Sequence, residues 1–468
     1  MFSSLPFELS RKIASLLSLE EQKNLRLTSK EFSVLATPLV FQTVSLRLND
    51  DHHYHRCMSL LKALSSPSYL SQNIETLCIY GSFEPPRGKC RFWSKITNGR
   101  RRAIRLIEKR LLEAIPSLAS LKSLYFSGFR TGELRPDSVN AIILALSNLP
   151  LLSLLNVGFY SFRPSYSEFH DLDNITFTVG QDVLRAVPSL VARSPNLTRL
   201  RLTNYRRVSA IPTAAIFSDI HKGKVSCVEH LDLGGAFILL THDVPIIVPH
   251  LRHLTSLTIH ITDIAEEFWS ALRIEMIHLR DISVDFLNDG VLEYLESYSG
   301  VRSMLLIIWG QEVNNGSLRF WHNILPKHAD TLVDLCVRPE YAGGWCLDNR
   351  SLASIRQCTR LQILRVTVDQ ETLGLDDESN IITRTLEVFH EWRCLIHLGF
   401  ISISMRNISP LLPSDSEFDP IQSLVAAFRC INPTDGALRL EVAVDNAAYR
   451  LSRQNFDLGV YSFKEIHR

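Results

Sequence analysis

Apolar residues return along this chain in one short phrase: apolar, two residues, apolar, one residue, apolar. It reads IETLCI, LKSLYF, LSLLNV, LTRLRL, VEHLDL, LTSLTI, LRDISV, VRSMLL, LVDLCV, LQILRV and LIHLGF, with a degenerate ALRLEV near the end, about twelve copies in all. The first positions are Ile74, Leu121, Leu152, Leu197, Val228, Leu254, Leu279, Val301, Leu332, Leu361 and Leu395, and the central ones lie roughly 22 to 31 residues apart. The last two apolar positions alternate with an outward residue, which is the period of a strand. Each phrase therefore predicts one short strand, laid parallel to its neighbours in a common sheet.

Between the phrases, apolar residues fall at helical spacing. RRAIRLIEKRLLEAIPSL sets Ile104, Ile107, Leu111, Leu112 and Ile115 on one face, and DVLRAVPSLVARSPNL repeats the pattern more briefly. A single strand-plus-helix unit cannot bury both its faces, but stacked units share a continuous core. Over residues 70–445 the pattern resembles the leucine-rich-repeat family, whose repeat length is 20–29 residues. The resemblance implies an irregular α/β solenoid. The family often places Asn or Cys three residues after the last leucine; here Ser82, Phe129, Tyr160 and Tyr205 occupy such places, and the spacing stretches to about 47 and 45 residues before Leu121 and Leu197. An ordinary α/β domain whose buried strands look alike is the alternative.

The front of the chain has a different pattern. LPFELSRKIASLLSLEEQKNLRLTSKEFSVLATPLVFQTVSL predicts three helices: one from Ser4 and Leu5 with Pro6 in its first turn, one near 19–27, and one near 29–36 stopped by Pro38. SLEE at Ser18 and TSKE at Thr28 both spell the capping box. Leu9, Ile13, Leu16 and Leu17 form an apolar stripe on a bundle below the roughly 40 residues that usually sustain a core, so the stripe calls for a partner surface. Pro6, Glu8, Arg11 and Lys12 break any secretory leader pattern.

Leu5, Pro6, Glu8, Leu9, Ile13, Leu25, Ser29 and Phe32 together resemble an F-box, in the form common in fungal proteins, with Phe32 where many members carry Trp. The resemblance implies that Leu5, Pro6, Leu9, Ile13, Leu16 and Leu25 bind a Skp-type adaptor and, through it, cullin and RING subunits. It implies that Phe32 and the last helix dock on the first repeat. Capping of the solenoid end is the bland role for the same leucines. F-box followed by leucine-rich repeats is a known arrangement, in which the repeats hold a protein substrate.

Composition narrows the remaining options. Lys plus Arg number 50 against 49 Asp plus Glu, so no global electrostatic partner is implied. Residues 87–110 hold ten basic residues and one acidic, leaving 40 against 48 elsewhere, a formal −8. That insert could meet an acidic partner, act as an import signal through GRRR, or stack nucleic acid on Phe92 and Trp93. Positive charge confined to one insert argues against nucleic acid, and a wet helix face with a loop is the plain reading. Nine scattered cysteines, never spaced CxxC, point to a reducing compartment, cytoplasmic or nuclear. No apolar run approaches the roughly 20 residues of a membrane span.

No catalytic constellation, metal site or cofactor motif is expected. HEWRC at His390 has Cys394 where a zinc helix would have His, and DHHYHRC from Asp51 to Cys57 reads as a solvated loop. One phrase departs from the polar habit of its neighbours: VRSMLLIIWG buries Met304, Leu306 and Ile308 and turns Leu305, Ile307 and Trp309 outward. The following CVRPEYAGGWC could carry Arg338, Tyr341 and Trp345 to the rim beside them, a candidate substrate site of Trp309, Arg338, Tyr341 and Trp345. A long loop or the segment after Asp445 folding over this patch would make it a secondary core instead. The expected organisation is a helical module at 1–46, an array of about twelve units at 47–445, and a C-terminal cap or tail at 446–468. The expected role is a non-enzymatic substrate-recognition subunit of a cullin-based ubiquitin ligase; the alternative is a repeat scaffold with no ligase.

Overall fold

The computed structural model describes residues 5–47, 51–80, 105–130, 136–160, 185–204, 211–221, 223–235, 237–261, 264–309, 314–373, 380–388, 392, 394–403, 420–431, 439–445, 447–455 and 460–466. Internal contacts divide the chain into Met1–His253 and Leu254–Arg468.

The first unit opens with α1 (Phe7–Ser15), α2 (Leu19–Thr28) and α3 (Lys30–Phe41). Then come β1 (Thr43–Arg47), β2 (Thr76–Tyr80), β3 (Ser123–Arg130), β4 (Leu154–Tyr160), β5 (Arg199–Asn204), β6 (Ile211–Pro212), β7 (His230–Gly235) and β8 (Phe237–Ile238). All but the β6–β8 pair join one sheet in the order β1-β2-β3-β4-β5-β7, every neighbour parallel. Helices Asp51–Leu64, Pro136–Leu146 and Val187–Arg193 and helical residues 105–114 connect the strands.

The second unit carries β9 (Ser256–Ile261), β10 (Asp281–Val284), β11 (Ser303–Ile308), β12 (Asp334–Pro339), β13 (Ile363–Asp369), β14 (His397–Ile403), β15 (Arg429–Ile431), β16 (Glu441–Val444), β17 (Ala447–Asn455) and β18 (Val460–Glu465). Their order is β9-β10-β11-β12-β13-β14-β16-β17-β18-β15. Pairing is parallel as far as β16 and antiparallel from there on. The chain is thus mixed α/β, with a helical front and a large, mostly parallel sheet.

The phrase explains the register. Leu77, Leu124, Leu155, Leu200 and Leu231 lie side by side across the first unit, and Leu257, Ile282, Met304, Leu335, Leu364, Leu398 and Val442 across the second. None is more than 3% exposed, so each contributes about 1.5–3 kcal/mol of burial. The backbone repeats with the same regularity. In the first unit the amides of Lys122 and Ser123 both donate to the Glu75 carbonyl, and those of Ser153 and Leu154 to Lys122. In the second, Val333 and Asp334 donate to Arg302, and Gln362 and Ile363 to Val333. One carbonyl thus receives two amides of the next copy, using both its lone pairs.

Several expectations need correction. Thr43–Arg47 is itself a copy of the phrase, built on Phe41, Val44 and Leu46, with Val44 beside Leu77 and Leu46 beside Ile79, so a boundary at 46 would cut a strand of the sheet. The degenerate last copy slips by two residues: Val442 and Val444, not Leu440 and Val442, align with Leu398 and Phe400. The run Asp51 to Cys57 begins helix Asp51–Leu64 instead of a loop, and Cys57 is buried. Helix α3 runs through Pro38 to Phe41. A proline leaves the carbonyl four residues earlier without its helical donor; here that carbonyl, on Val34, accepts the Tyr69 hydroxyl at 3.1 Å.

Among the described residues no helix is long and apolar enough to cross a membrane, and no group of three His, Cys, Asp or Glu could hold a metal ion. Most of the basic insert, residues 87–104, and the residues His390, Glu391 and Arg393 lie outside the described residues. Within 105–110, Arg105 and Lys109 are exposed, while the insert's one acid, Glu108, is buried and accepts the Ser138 hydroxyl at 2.9 Å.

Candidate functional sites

The first candidate site is α1, whose faces are inverted relative to an ordinary amphipathic helix. It buries its small residues, Ser10 and Ala14, and exposes Leu5 and Pro6 just before it, Phe7, Leu9 and Ile13 along it, and Leu16 at its end, the last 83% exposed. The inversion is held from α2. Gln22, itself buried, donates from Nε2 to the carbonyls of Ala14 (3.2 Å) and Leu17 (3.0 Å), closing the α1–α2 corner. Ser18 and Glu21 complete the expected capping box, and the Ser18 hydroxyl and amide hold the Glu21 carboxyl below its ordinary range. The second box does not form: Ser29, not Thr28, caps α3 through the Phe32 amide.

Of the six adaptor residues expected from sequence, Leu5, Pro6, Leu9, Ile13 and Leu16 are exposed on this face, whereas Leu25 is half-buried. Phe7, Leu19, Leu27 and Val34 are exposed too, and helical spacing alone gives no signal for them. On the opposite side α3 joins the sheet. Leu35 and Ala36 are buried, and Gln42 donates to Glu75 at 3.0 Å, holding that carboxyl below its ordinary range together with Lys122.

The second candidate site is a split in the sheet of the second unit. Between β12 and β13 the ladder alternates from the Ile363 amide on the Val333 carbonyl, so the amide at position 339 would next serve the Thr367 carbonyl. Residue 339 is proline and has no amide hydrogen. Pairing ends at Val337 beside Val366, although β11–β12 runs on to Pro339 and β13–β14 to Ile403. The Thr367 carbonyl is taken instead by the Leu347 amide at 2.8 Å. A cavity of about 280 Å³ opens on the face bearing the outward strand positions, lined by Ile307, Trp309, Arg338, Pro339, Glu340, Thr367 and Ile401 to Ile403.

Two of the four residues expected at a substrate site meet here. Trp309 is half-exposed and Arg338 is exposed, both on the cavity wall. Tyr341 is half-buried and does not line it. Trp345 is not at a rim at all: it is 3% exposed and packs on Phe320 with ring centroids 5.3 Å apart. Its loop folds inward because Trp321 donates to the Gly344 carbonyl at 3.1 Å and the Cys346 amide to Gly343 at 2.9 Å. The run Trp345-Cys346-Leu347, all buried and followed by the Asp348 helix cap, carries the signal of a core segment.

Among known families, the F-box domain matches residues 2–41. The front of the chain is an F-box domain, a module that in general binds Skp-type adaptors and marks substrate-recognition subunits of SCF-type ubiquitin ligases, which are generally non-catalytic. Comparison with curated proteins finds no match.

Proposed function

We propose that this protein is the substrate receptor of an SCF-type ubiquitin ligase, its α1 face seated on a Skp-type adaptor and its strands forming a leucine-rich-repeat-like array that holds a protein substrate. The observation that carries the reading is the inverted helix. Large apolar side chains left in water while Ser10 and Ala14 are buried cost stability in a free monomer and regain it only against a partner. One strand per phrase, in register within each unit, supports a leucine-rich-repeat architecture of the kind found behind other F-boxes. The organisation follows as an F-box through Phe41, an array beginning at Thr43, and a C-terminal antiparallel cap from Ala447.

The test is co-purification with a Skp-type adaptor. Leu9→Asp with Ile13→Asp places two charges on exposed positions, so the fold should hold while adaptor capture falls at least roughly a hundredfold. Capture that survives in a folded double variant would rule out this surface and leave the scaffold reading, in which the array binds a partner without a ligase.

A further inference from the structure

The cavity at the sheet split has two features: an apolar body and a pair of opposite charges that no described residue matches. Its apolar part is Ile307, Ile401 and Ile403 beside the half-exposed indole of Trp309. Arg338 and Glu340 line the same cavity, two residues apart at the end of one strand and therefore directed to the same face. Neither forms an ion pair with the other or with any other described residue. A ligand that offers an anion and a cation within a few ångströms of an apolar body satisfies both.

We propose that this cavity binds a free apolar α-amino acid, with its carboxylate on Arg338, its ammonium on Glu340 and its side chain against Ile307, Ile401 and Trp309. Size supports a single residue, because about 280 Å³ lies at the lower bound of the roughly 300–1,000 Å³ that ligand pockets span. The charges select among sources. The carboxyl terminus of a peptide presents only the carboxylate and its amino terminus only the ammonium, so each leaves one of the two side chains unused; the free amino acid engages both. Binding rests on the cavity alone. Its consequence, capture of substrate that depends on amino-acid supply, rests on the proposed ligase role and on the same face holding the substrate.

Calorimetric titration of the full-length protein with L-leucine, L-phenylalanine and L-tryptophan tests the proposal. N-acetyl-L-leucine stands in for a peptide's carboxyl terminus and L-leucinamide for its amino terminus. Saturable binding is expected for the free amino acids, with each blocked form at least roughly tenfold weaker. In Arg338→Gln, leucine and leucinamide should bind equally; in Glu340→Gln, leucine and N-acetyl-leucine should. Both side chains are exposed, and an unchanged melting temperature confirms that the variants fold. A blocked form binding as tightly as leucine overturns the proposal in favour of a peptide terminus. So does binding untouched by both substitutions, and so does the absence of saturation at about 10 mM by every probe. Adaptor capture on the same preparations is a separate readout: its loss sinks the ligase reading and leaves the amino-acid site standing.

Discussion

His328 sits fully buried in the second unit, with its two ring nitrogens in different roles. Nδ1 accepts the Val301 amide at 3.3 Å and Nε2 donates to the Leu295 carbonyl at 3.1 Å, which fixes the neutral tautomer. Burial pushes its pKa down to about 4; the Leu295 carbonyl opposes the shift and the adjacent Lys327 reinforces it. The unfolded chain, with an ordinary histidine near 6.5, binds the proton first. Stability should therefore be lost as pH falls from about 6.5 towards about 4, by about 3 kcal/mol in total. Urea midpoints measured at several pH values across that window check it, and His328→Gln should flatten the slope. An equally steep slope in the variant would assign the acid sensitivity to other groups.

Helix α3 shows what a local rule misses. By that rule Pro38 stops the helix because an orphaned carbonyl is costly, yet the donor that relieves the cost, Tyr69, lies 35 residues beyond Val34 in the chain. Tyr69→Phe should destabilise by about 1 kcal/mol, with faster amide exchange in the last turn of α3; unchanged exchange would mean that water serves Val34 equally well. The same limit explains the other misses. Phe41 is both the last residue of a helix and the first of a phrase, so the helix pattern hides the repeat there. Trp345 reads as a rim residue because Gly343 and Gly344 suggest an open loop, but Trp321 and Thr367 draw that loop inward through bonds no local spacing encodes. Eleven phrases give eleven strands because each needs only two alternating buried side chains, a property visible in five or six residues. The outward character of Trp309 and Arg338 follows from that alternation; the cavity beside them depends on one missing proline hydrogen and is not visible in the pattern.

A stack of parallel strands exposes a raw edge wherever it is cut. Truncation after Val284 would leave β10 without β11, its unpaired amides and carbonyls free to recruit another copy. The fragment should aggregate, seen by light scattering at low micromolar concentration, whereas the intact second unit ends in the antiparallel β17, β18 and β15. A monomeric fragment with a cooperative melt would count against one continuous core in that unit.

The carbonyl that receives two amides has a consequence for how such a chain can change over time. Register between neighbours is set within the few residues entering each strand, where Glu75, Lys122 and Arg302 each anchor the next copy, and not by the length of chain that leads there. Added length between two anchors costs only a slowly growing loop entropy, about 0.6 kcal/mol for each doubling. Segments as unequal as the 47 residues before Leu121 and the 22 before Val301 can therefore feed identical ladders. Insertions and deletions between phrases would be nearly silent for folding, while a single residue gained or lost inside a phrase would turn its buried side chains to the opposite face.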